Sequence, residues 1–405
     1  MKGLKPIFWL IIVVSVLLIL LFLLLHFSSL FTVQDDDKPS VYLLYASAGS
    51  MPQLLNTNQI DSFMIWEPVV ANAQLSGIGK MIATPADLPP PGKWENTASC
   101  ILVLRNDVIT QYPDTSALLS ALTIAAINRT NEDPELAEEI TADWVFGNNS
   151  ILTPKGSLDP NDVENLSFSN MVFTAYAKPP ESGLGTNGQE EMVSSGYNTV
   201  GMINSGVVLR GEQFLNGSAV PQVPGDIPTL NIGYLPSSDN FAPLYVMARD
   251  SPYFCEEYGF CLVPDDQDAT RPVQCTLFVH GEPAAYINLI PAQSGGGIMT
   301  TIGQNALEGA YVGSVPAELQ IVLGNPASII QSINTGGSGL VVGTTTPVGD
   351  WKNFINWVKL RSAKGKPVVI ATVQSSIQEN MIRSALAYEN ITVILYGTDF
   401  ETGYP

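Results

Sequence analysis

The chain has 405 residues, 45% of them hydrophobic, so it is long and apolar enough to bury one large or two medium cores. Its 38 Asp and Glu residues outnumber its 18 Lys and Arg residues, which gives a formal net charge of −20. This balance excludes a nucleic-acid partner, because binding to a duplex needs clustered Lys and Arg to displace counterions.

The N-terminal segment is predicted to be a membrane anchor. Residues 7–25 are apolar apart from one serine, and at about 1.5 Å per residue they can cross a hydrocarbon layer about 30 Å thick. Lys2 and Lys5 precede this run and three aspartates at 35–37 follow it, an asymmetry that predicts the N-terminus inside. We therefore expect residues 1–34 to form a single-pass anchor, with the rest of the chain extracytoplasmic. A cleaved signal peptide is the alternative, although the run is longer than usual and no A-x-A pattern follows it.

Behind the anchor, strands and helices are predicted to alternate in two blocks. The first block contains apolar strands at 41–46 and 100–104 and a long amphipathic helix at 115–128. The second block runs from residue 229 to 396 and includes apolar strands at 230–235 and 286–291. Alternation of this kind predicts an α/β fold, with parallel strands covered by helices on both faces.

The stretch between the blocks is rich in Gly, Asn, Ser and Pro. A short helix is expected near residues 190–195 of this stretch. Residues 216–227 are the best candidate for a linker, because the closely spaced prolines and the glycine of VPQVPGDIP interrupt both regular periodicities.

Polar or glycine-bearing turns follow several of the predicted strands. In parallel α/β sheets, ligands bind at the carboxyl ends of the strands, where free N–H groups at helix starts attract anionic or strongly polar groups. The structural alternatives are helix capping, simple turns and, for Asn334 and Thr335, a hinge. The turn residues that we expect to contact a small ligand are Ser237, Ser238, Asp239, Asn240, Gln293, Ser294, Gly295, Gly313, Ser314, Asn334, Thr335, Gln374, Ser375 and Ser376.

Trp66 and Glu67, at the end of another predicted strand, complete the expected site. An aromatic ring beside a carboxylate can stack on an organic ligand or bind an amine, while core packing is the alternative for Trp66. The charge of Glu67 would resist a bare anion. It therefore favours an organic ligand or a zwitterion, such as an aminosulfonate, over nitrate.

Several of these segments resemble ABC-transporter solute-binding proteins of the nitrate, sulfonate and taurine type, which are related to the thiamine-precursor-binding family. The segment MPQLLNTNQIDSFMIWEPVVANAQLSGIGKMIATPADLPP resembles the later part of such proteins, yet it comes first here. The segments that resemble the earlier part are NIGYLPSSDNFAPLYV, NLIPAQSGGGIMTTIGQNALEGAYVGSVPA, INTGGSGLVV and KGKPVVIATVQSSIQENMIRSAL.

The resemblance implies a two-lobed, periplasmic-binding-protein-like α/β fold of type II, in circularly permuted order. Residues 41–215 would form the second half of that fold and residues 228–400 the first half, on either side of the linker. Lobe one would combine 98–215 with 228–340, and lobe two would combine 41–95 with 345–400.

One strand position of lobe two would be encoded twice, at 41–46 and at 391–397. A circular permutation explains the order of the halves, and a truncated tandem duplication explains the repeated strand. The remaining alternative is that each half pairs with a half from another copy, in a head-to-tail assembly.

The resemblance further implies capture of a small anionic or polar organic solute, of the sulfonate, taurine, nitrate or thiamine-precursor class, for uptake by an ABC permease. The alternative is a ligand-sensing module, or a degenerate partner-binding module, on the cell surface. We expect no enzyme, since His26 lies in the anchor, His280 lies in an apparent insertion as the one remaining candidate base, and the sequence has no identifiable nucleophile elbow. No cofactor is expected.

Four cysteines lie outside the predicted anchor, where disulfides are permitted. Cys255 and Cys261 flank EEYGF, where the resembling family would have a helix end followed by a strand, so a short bridge between them is expected. A zinc site is disfavoured because no CxxC pair or nearby His provides four ligands. Five glycosylation sequons agree with an exterior location, namely those at Asn128, Asn148, Asn165, Asn216 and Asn390.

Overall fold

The computed structural model describes residues 38–147, 149–153, 156–178 and 202–397. The predicted anchor, the helix expected near 190–195 and the Asn148 sequon lie outside these ranges. Within them, no helix combines the length and the apolar character needed to cross a bilayer. The described residues from Pro39 onward form one compact unit.

The described chain alternates strands and helices, as expected from the sequence. The strands are β1 Ser40–Tyr45, β2 Ser62–Trp66, β3 Gly79–Ala83, β4 Ala98–Arg105, β5 Ile151–Thr153, β6 Gly156–Leu158, β7 Met171–Phe173, β8 Thr229–Tyr234, β9 Phe260–Pro264, β10 Gln274–Val279, β11 Glu282–Pro291, β12 Gly309–Gly313, β13 Ala327–Gly336, β14 Ser338–Gly343, β15 Val368–Thr372 and β16 Thr392–Leu395. The helices are α1 Met51–Asn56, α2 Val69–Leu75, α3 Asn106–Gln111, α4 Pro113–Glu132, α5 Pro134–Phe146, α6 Pro160–Phe168, α7 Ser205–Leu215, α8 Ala242–Arg249, α9 Ser251–Tyr258, α10 Gly295–Gly303, α11 Ser314–Val322, α12 Trp351–Ser362 and α13 Ile377–Tyr388.

Two large sheets organise the fold. The smaller sheet has the strand order β16-β1-β15-β2-β14-β3, and the larger one has the order β7-β13-β4-β12-β8-β11-β10-β9. We call the smaller sheet with α1, α2, α12 and α13 the small lobe, and the larger sheet with the remaining helices the large lobe. Both sheets are mixed, not purely parallel as the alternation predicted, because strands such as β4 and β14 run antiparallel to both of their neighbours.

The chain passes between the lobes twice, and each passage leads to a strand that runs antiparallel to both of its neighbours. After β3 the chain leaves the small lobe and enters the large one as β4, between β12 and β13. After β13 it returns as β14, which lies between β2 and β3. The second passage occurs at Gly336 and Gly337, within the INTGGSG segment where it was expected, so residues 338–340, expected in lobe one, belong to the small lobe.

The two segments expected to encode one strand position instead occupy neighbouring positions. β1 pairs in parallel with β15 on one side and with β16 on the other. A sheet can accommodate both segments because β16 adds a strand at its edge. The first and the last described strands therefore lie side by side in the small lobe.

Each lobe has its own apolar core. In the large lobe, the predicted amphipathic helix is α4, which is buried around most of its surface because α7 and α8 pack against it. The indole ring of Trp144 stacks on the ring of Tyr245, with centroids 4.6 Å apart. Cys255 and Cys261 form a disulfide with their Cα atoms 4.9 Å apart, joining α9 to β9.

Candidate functional site

A cavity lies between the two lobes, where several strand-turn-helix units meet. Its volume is about 40 Å³. The predicted residues that line it are Trp66, Ser238, Asn240, Gly295, Gly313, Gln374, Ser375 and Ser376. The lining residues that sequence reasoning missed are Ser99, Cys100, Leu235, Phe241, Gly296, Pro316, Val373, Ile377 and Gln378.

Three helices begin at this cavity and point their N-terminal ends toward it. Ser294 caps α10 by accepting a hydrogen bond from the N–H of Gly297 at 3.2 Å. Ser376 caps α13 in the same way, accepting from the N–H of Glu379 at 3.1 Å. The third helix, α11, starts directly after Gly313. First-turn N–H groups have no intrahelical acceptor, so these ends offer donors and the positive ends of three helix dipoles.

The lining contains no charged side chain. Hydroxyl, amide and backbone groups supply its polarity, and the rings of Trp66 and Phe241, together with aliphatic side chains such as Val373, supply its apolar surface. An apolar cavity with a few convergent polar groups is the usual form of a small-molecule site. Here a ligand would be held by dipoles and hydrogen bonds, without an ion pair to the lining.

Two lining residues carry a buried polar atom without a partner among the described residues. One is the indole Nε1 of Trp66, from the small lobe, and the other is the hydroxyl of Ser99, from the large lobe. An indole N–H can only donate, whereas a hydroxyl can donate or accept. Because an unpaired buried polar atom costs about 1–3 kcal/mol, a ligand with an acceptor atom would gain from meeting Trp66.

Cys100 lines the cavity beside Ser99 and is a free, buried thiol. Burial raises the pKa of this thiol to about 12, despite the opposing effect of the Ser99 hydroxyl. The thiol is therefore neutral at physiological pH and contributes a weakly polar surface.

Some predicted residues support the cavity wall without lining it. Asn334 donates through Nδ2 to Oδ1 of Asn240, and Asn240 donates to the Ser238 hydroxyl at 3.2 Å. Ser314 is buried, and its hydroxyl donates to the carbonyl oxygen of Ala98 at 2.7 Å, which fixes the start of α11 on β4.

Other predicted residues do not contact the cavity. Ser294 acts as the cap of α10, and Thr335 is a buried residue of β13 that pairs with Val172. Ser237 and Gln293 are exposed. Strand-turn-helix units predict the turn correctly but not which of its side chains point inward.

Glu67 and Asp239, expected to contact ligand, instead lie buried behind the cavity together with Glu164 of α6, which the sequence did not single out. We call these three residues the junction carboxyls. Burial raises the pKa of Glu67 to about 8, although hydrogen bonds from the N–H of Ala71 at 2.8 Å and from Nδ2 of Asn170 at 2.7 Å oppose the shift. Because its carboxyl is absent from the lining, Glu67 places no charge against a ligand in this cavity.

Asp239 and Glu164 form a coupled pair. Burial raises the pKa of Asp239 to about 7, although the neighbouring carboxyl of Glu164 and the hydroxyl of Ser167, which donates to Oδ2, oppose the shift. Burial, followed by the charge of Asp239, raises the pKa of Glu164 well above its ordinary value. Neither oxygen of Glu164 receives a hydrogen bond from an N–H or hydroxyl group of the described chain.

A larger depression of about 740 Å³ lies elsewhere, along α5 and the β5–β6 hairpin. It carries charged side chains, including Asp143 and Arg249, which form an ion pair at 3.4 Å. No helix starts converge on it from two lobes. We place the candidate site at the smaller cavity, where the strand ends and helix starts meet.

A family model, that of the NMT1-like family, matches residues 35–145. The matched stretch contains β1 to β4 and contributes Trp66, Ser99 and Cys100 to the cavity. The match supports a solute-binding protein of the nitrate, sulfonate or thiamine-precursor type. Comparison with curated proteins and comparison with solved structures each found no match.

Proposed function

We propose that the protein is an extracytoplasmic solute-binding protein that captures a small polar organic solute between its lobes and delivers it to an ABC permease. The convergence of three helix N-termini and Trp66 on one inter-lobe cavity carries the proposal. The family match over residues 35–145 supports it from the sequence side. In this proposal residues 1–34 anchor the protein in the membrane, and the protein catalyses no reaction.

The uncharged lining favours a neutral or zwitterionic ligand over a bare anion such as nitrate. Without a cation in the lining, an anion would have to be held by N–H dipoles alone, whereas a polar organic molecule also gains from contact with Trp66 and Phe241. Micromolar affinity requires about −8 kcal/mol. Hydrogen bonds contribute about 0.5–1.5 kcal/mol each when neutral, and apolar burial supplies the remainder.

Ligand entry requires the lobes to separate. A cavity of about 40 Å³ has space for only a few water molecules, since one water needs about 10–15 Å³ measured in this way. The structure therefore corresponds to a closed arrangement of the lobes, and the two passages at residues 84–97 and 336–337 would serve as hinges.

We also propose that the fold is a circularly permuted form of the solute-binding fold. Each sheet contains a strand that arrives from the other lobe and runs antiparallel to both of its neighbours, β4 in one and β14 in the other. The family match at the start of the chain, together with this repeated pattern, supports the permuted order of the halves.

The test is a thermal-shift screen of the full chain in detergent against taurine, alkanesulfonates, nitrate, bicarbonate and pyrimidine precursors. A ligand at 100 times its dissociation constant adds about 2.7 kcal/mol of stability. Gly296→Leu, which places a side chain in the cavity, should abolish the shift, whereas Gly349→Leu, at a position with open space around it, should retain it. If no compound stabilises the protein, a partner-binding module becomes the better interpretation.

A further inference from the structure

The junction carboxyls lie where the two lobes meet and where the chain passes between them. Glu67 directly follows β2 of the small lobe, whereas Asp239 follows β8 and Glu164 lies in α6, both in the large lobe. All three are fully buried. Helix α6 packs against α2 of the small lobe as well as against α5, so it bridges the boundary.

Hydrogen bonds across the boundary bring the passage and the carboxyls together. Asn170, which follows α6, donates through Nδ2 to Glu67 at 2.7 Å and accepts through its carbonyl from the N–H of Gly337 at 2.8 Å. The N–H of Asp239 donates to the carbonyl oxygen of Glu67 at 3.4 Å. The contacts that hold the lobes together at this junction are therefore made by the junction carboxyls or by residues next to them.

The cluster has no cation to balance it. Among the described residues, no Lys or Arg forms an ion pair with Glu67, Glu164 or Asp239. No group of three or more side chains in the described ranges is arranged to hold a metal ion. Three ionised carboxylates in a buried space would repel one another strongly. Binding of protons to the carboxyl groups reduces this negative charge without a cation.

The titratable groups around the cluster are acidic or neutral, apart from Arg271. From α5, the carboxylate of Glu138 faces α6 and accepts from Asn165 at 3.3 Å. From α8, the hydroxyl of Tyr245 lies near both Asp239 and Glu164, and Arg271 acts on that hydroxyl from farther away. Neither α2 nor β7, which also pack against α6, contributes a titratable side chain.

We propose that the junction carboxyls form a proton-binding site that controls the closure of the lobes. One proton shared between Glu164 and the free Oδ1 of Asp239 satisfies both groups, and a second on Glu67 leaves the cluster with a single negative charge. Loss of these protons places like charges on both sides of the lobe boundary, which favours the open arrangement.

The direction of the pH effect follows from the raised pKa values. The closed junction binds protons that separated, hydrated carboxyls would release, so closure is favoured most at low pH, weakens as the pH rises above the ordinary 3.8 to 4.5, and has lost this contribution above about 7 to 8. Only the consequence for the solute rests on the proposed function. If the protein binds a solute between its lobes, its affinity for that solute should fall by up to about tenfold per pH unit for each proton released.

The test measures the distance between the lobes directly and needs no ligand. Spin labels are attached to the full chain in detergent at Gln304→Cys in the large lobe and Lys352→Cys in the small lobe, both exposed positions. Labelling is carried out at low pH, where the closed lobes bury Cys100 as well as Cys275, so neither free native cysteine should react. Pulsed paramagnetic resonance between pH 5 and pH 9 should show one short distance at pH 5 and a growing longer population above pH 7.

Variants separate the junction from other acidic groups. The double variant Glu164→Gln, Asp239→Asn, which removes both charges of the pair, should keep the short distance to higher pH than the parent protein. Glu67→Gln should shift the transition in the same direction, because the Asn170 amide can turn its oxygen toward the new amide nitrogen, as it can toward a protonated Glu67. Asp162→Asn removes an exposed charge from the same helix, α6, and should behave like the parent.

A distance that does not change with pH would overturn the proposal, as would an unchanged transition in both Glu67→Gln and the double variant. Circular dichroism identifies any variant that fails to fold, and Glu67→Gln then carries the test. A pH-independent distance in a protein that still shows a ligand-induced thermal shift would reject the proton switch and leave the proposed function intact.

Discussion

Asn334 on β13 donates a hydrogen bond through its amide nitrogen to the side-chain oxygen of Asn240, whose own amide nitrogen donates to Ser238. Both asparagines are buried, and Asn240 and Ser238 line the cavity. The bond ties the cavity wall to the strand that leads into the passage between the lobes. A movement at that passage is therefore transmitted to the groups that would contact a ligand.

Asn240→Ala should destabilise the protein by about 1–3 kcal/mol, because the buried amide of Asn334 loses its acceptor. Urea unfolding measures the change. Asn353→Ala is the matched control: its side chain is exposed at the start of α12, and its loss should change stability by less than about 0.5 kcal/mol. Equal effects of the two variants would show that the buried network does not contribute.

Two neighbouring glycines at the start of α10 should respond differently to the same substitution. A Cβ on Gly295 would lie 2.7 Å from Cγ of Pro316, whereas a Cβ on Gly296 would meet nothing within 4 Å. Gly295→Ala should therefore cost about 1–3 kcal/mol through overpacking. Gly296→Ala should be neutral or slightly stabilising, because alanine favours helix more than glycine does. Thermal unfolding of both variants checks this, and a reversed order would contradict the packing of α10 on α11.

The reactivity of Cys100 should report the opening of the lobes. Since burial raises the pKa of its thiol to about 12, iodoacetamide at pH 8 should modify it slowly and only after the cavity opens. Cys275, a second buried free cysteine away from the cavity, provides the internal control. Mass spectrometry should show that a bound ligand slows the modification of Cys100 but not that of Cys275. If Cys100 reacts rapidly without unfolding of the protein, and ligand-induced closure does not slow the reaction, its placement in the inter-lobe cavity is contradicted.

Glu318→Gln should make the protein more stable at pH 8 and change little near pH 4.5. Glu318 lies in α11 without a partner for either carboxyl oxygen among the described residues, and burial raises its pKa well above the ordinary 4.5. The folded state then holds a proton that the unfolded chain releases, so the parent protein loses stability as the pH rises above 4.5.

The variant removes that loss, and the gain at pH 8 should be about 1.4 kcal/mol for each unit by which the folded protein raises the pKa of Glu318. Urea unfolding at both pH values measures it. The exposed Glu256→Gln serves as the control, since it removes the same charge without changing burial. A gain of the same size in both variants would assign the effect to net charge instead.

The sequence was sufficient to locate the strand-turn-helix units, because an apolar run that ends in a Ser- or Gly-bearing turn is compatible with few other local structures. Ser238, Gly295 and Ser376 were identified in this way, and all three line the cavity. Ser99 and Cys100 were missed because they lie at the start of β4, and only the antiparallel pairing of that strand with β12 and β13 brings its start to the cavity.

Glu164 was missed for a different reason. It lies in a stretch rich in Asn, Ser and Gly, where a lone glutamate on a short helix resembles a solvated surface residue. Its burial arises only when α6 packs between α5 and α2, a contact between segments far apart in the chain. Amino-acid composition does not predict such packing. Glu67 was expected in the lining for the same reason, because its burial also depends on contacts between distant segments.

The parallel pairing of β1 with β16 has a mechanical consequence. Ser40 pairs with Thr392 and Leu43 with Leu395, so the entry of β1 and the exit of β16 lie at opposite ends of the pair. A force that pulls Ser40 and Leu395 apart would load these backbone hydrogen bonds together in shear, because the strands would have to slide past each other. Unzipping, in which bonds break one after another, would require force on the same end of both strands. When force is applied to Ser40 and Leu395, the small lobe should therefore resist unfolding more strongly than when both strands are pulled from the same end.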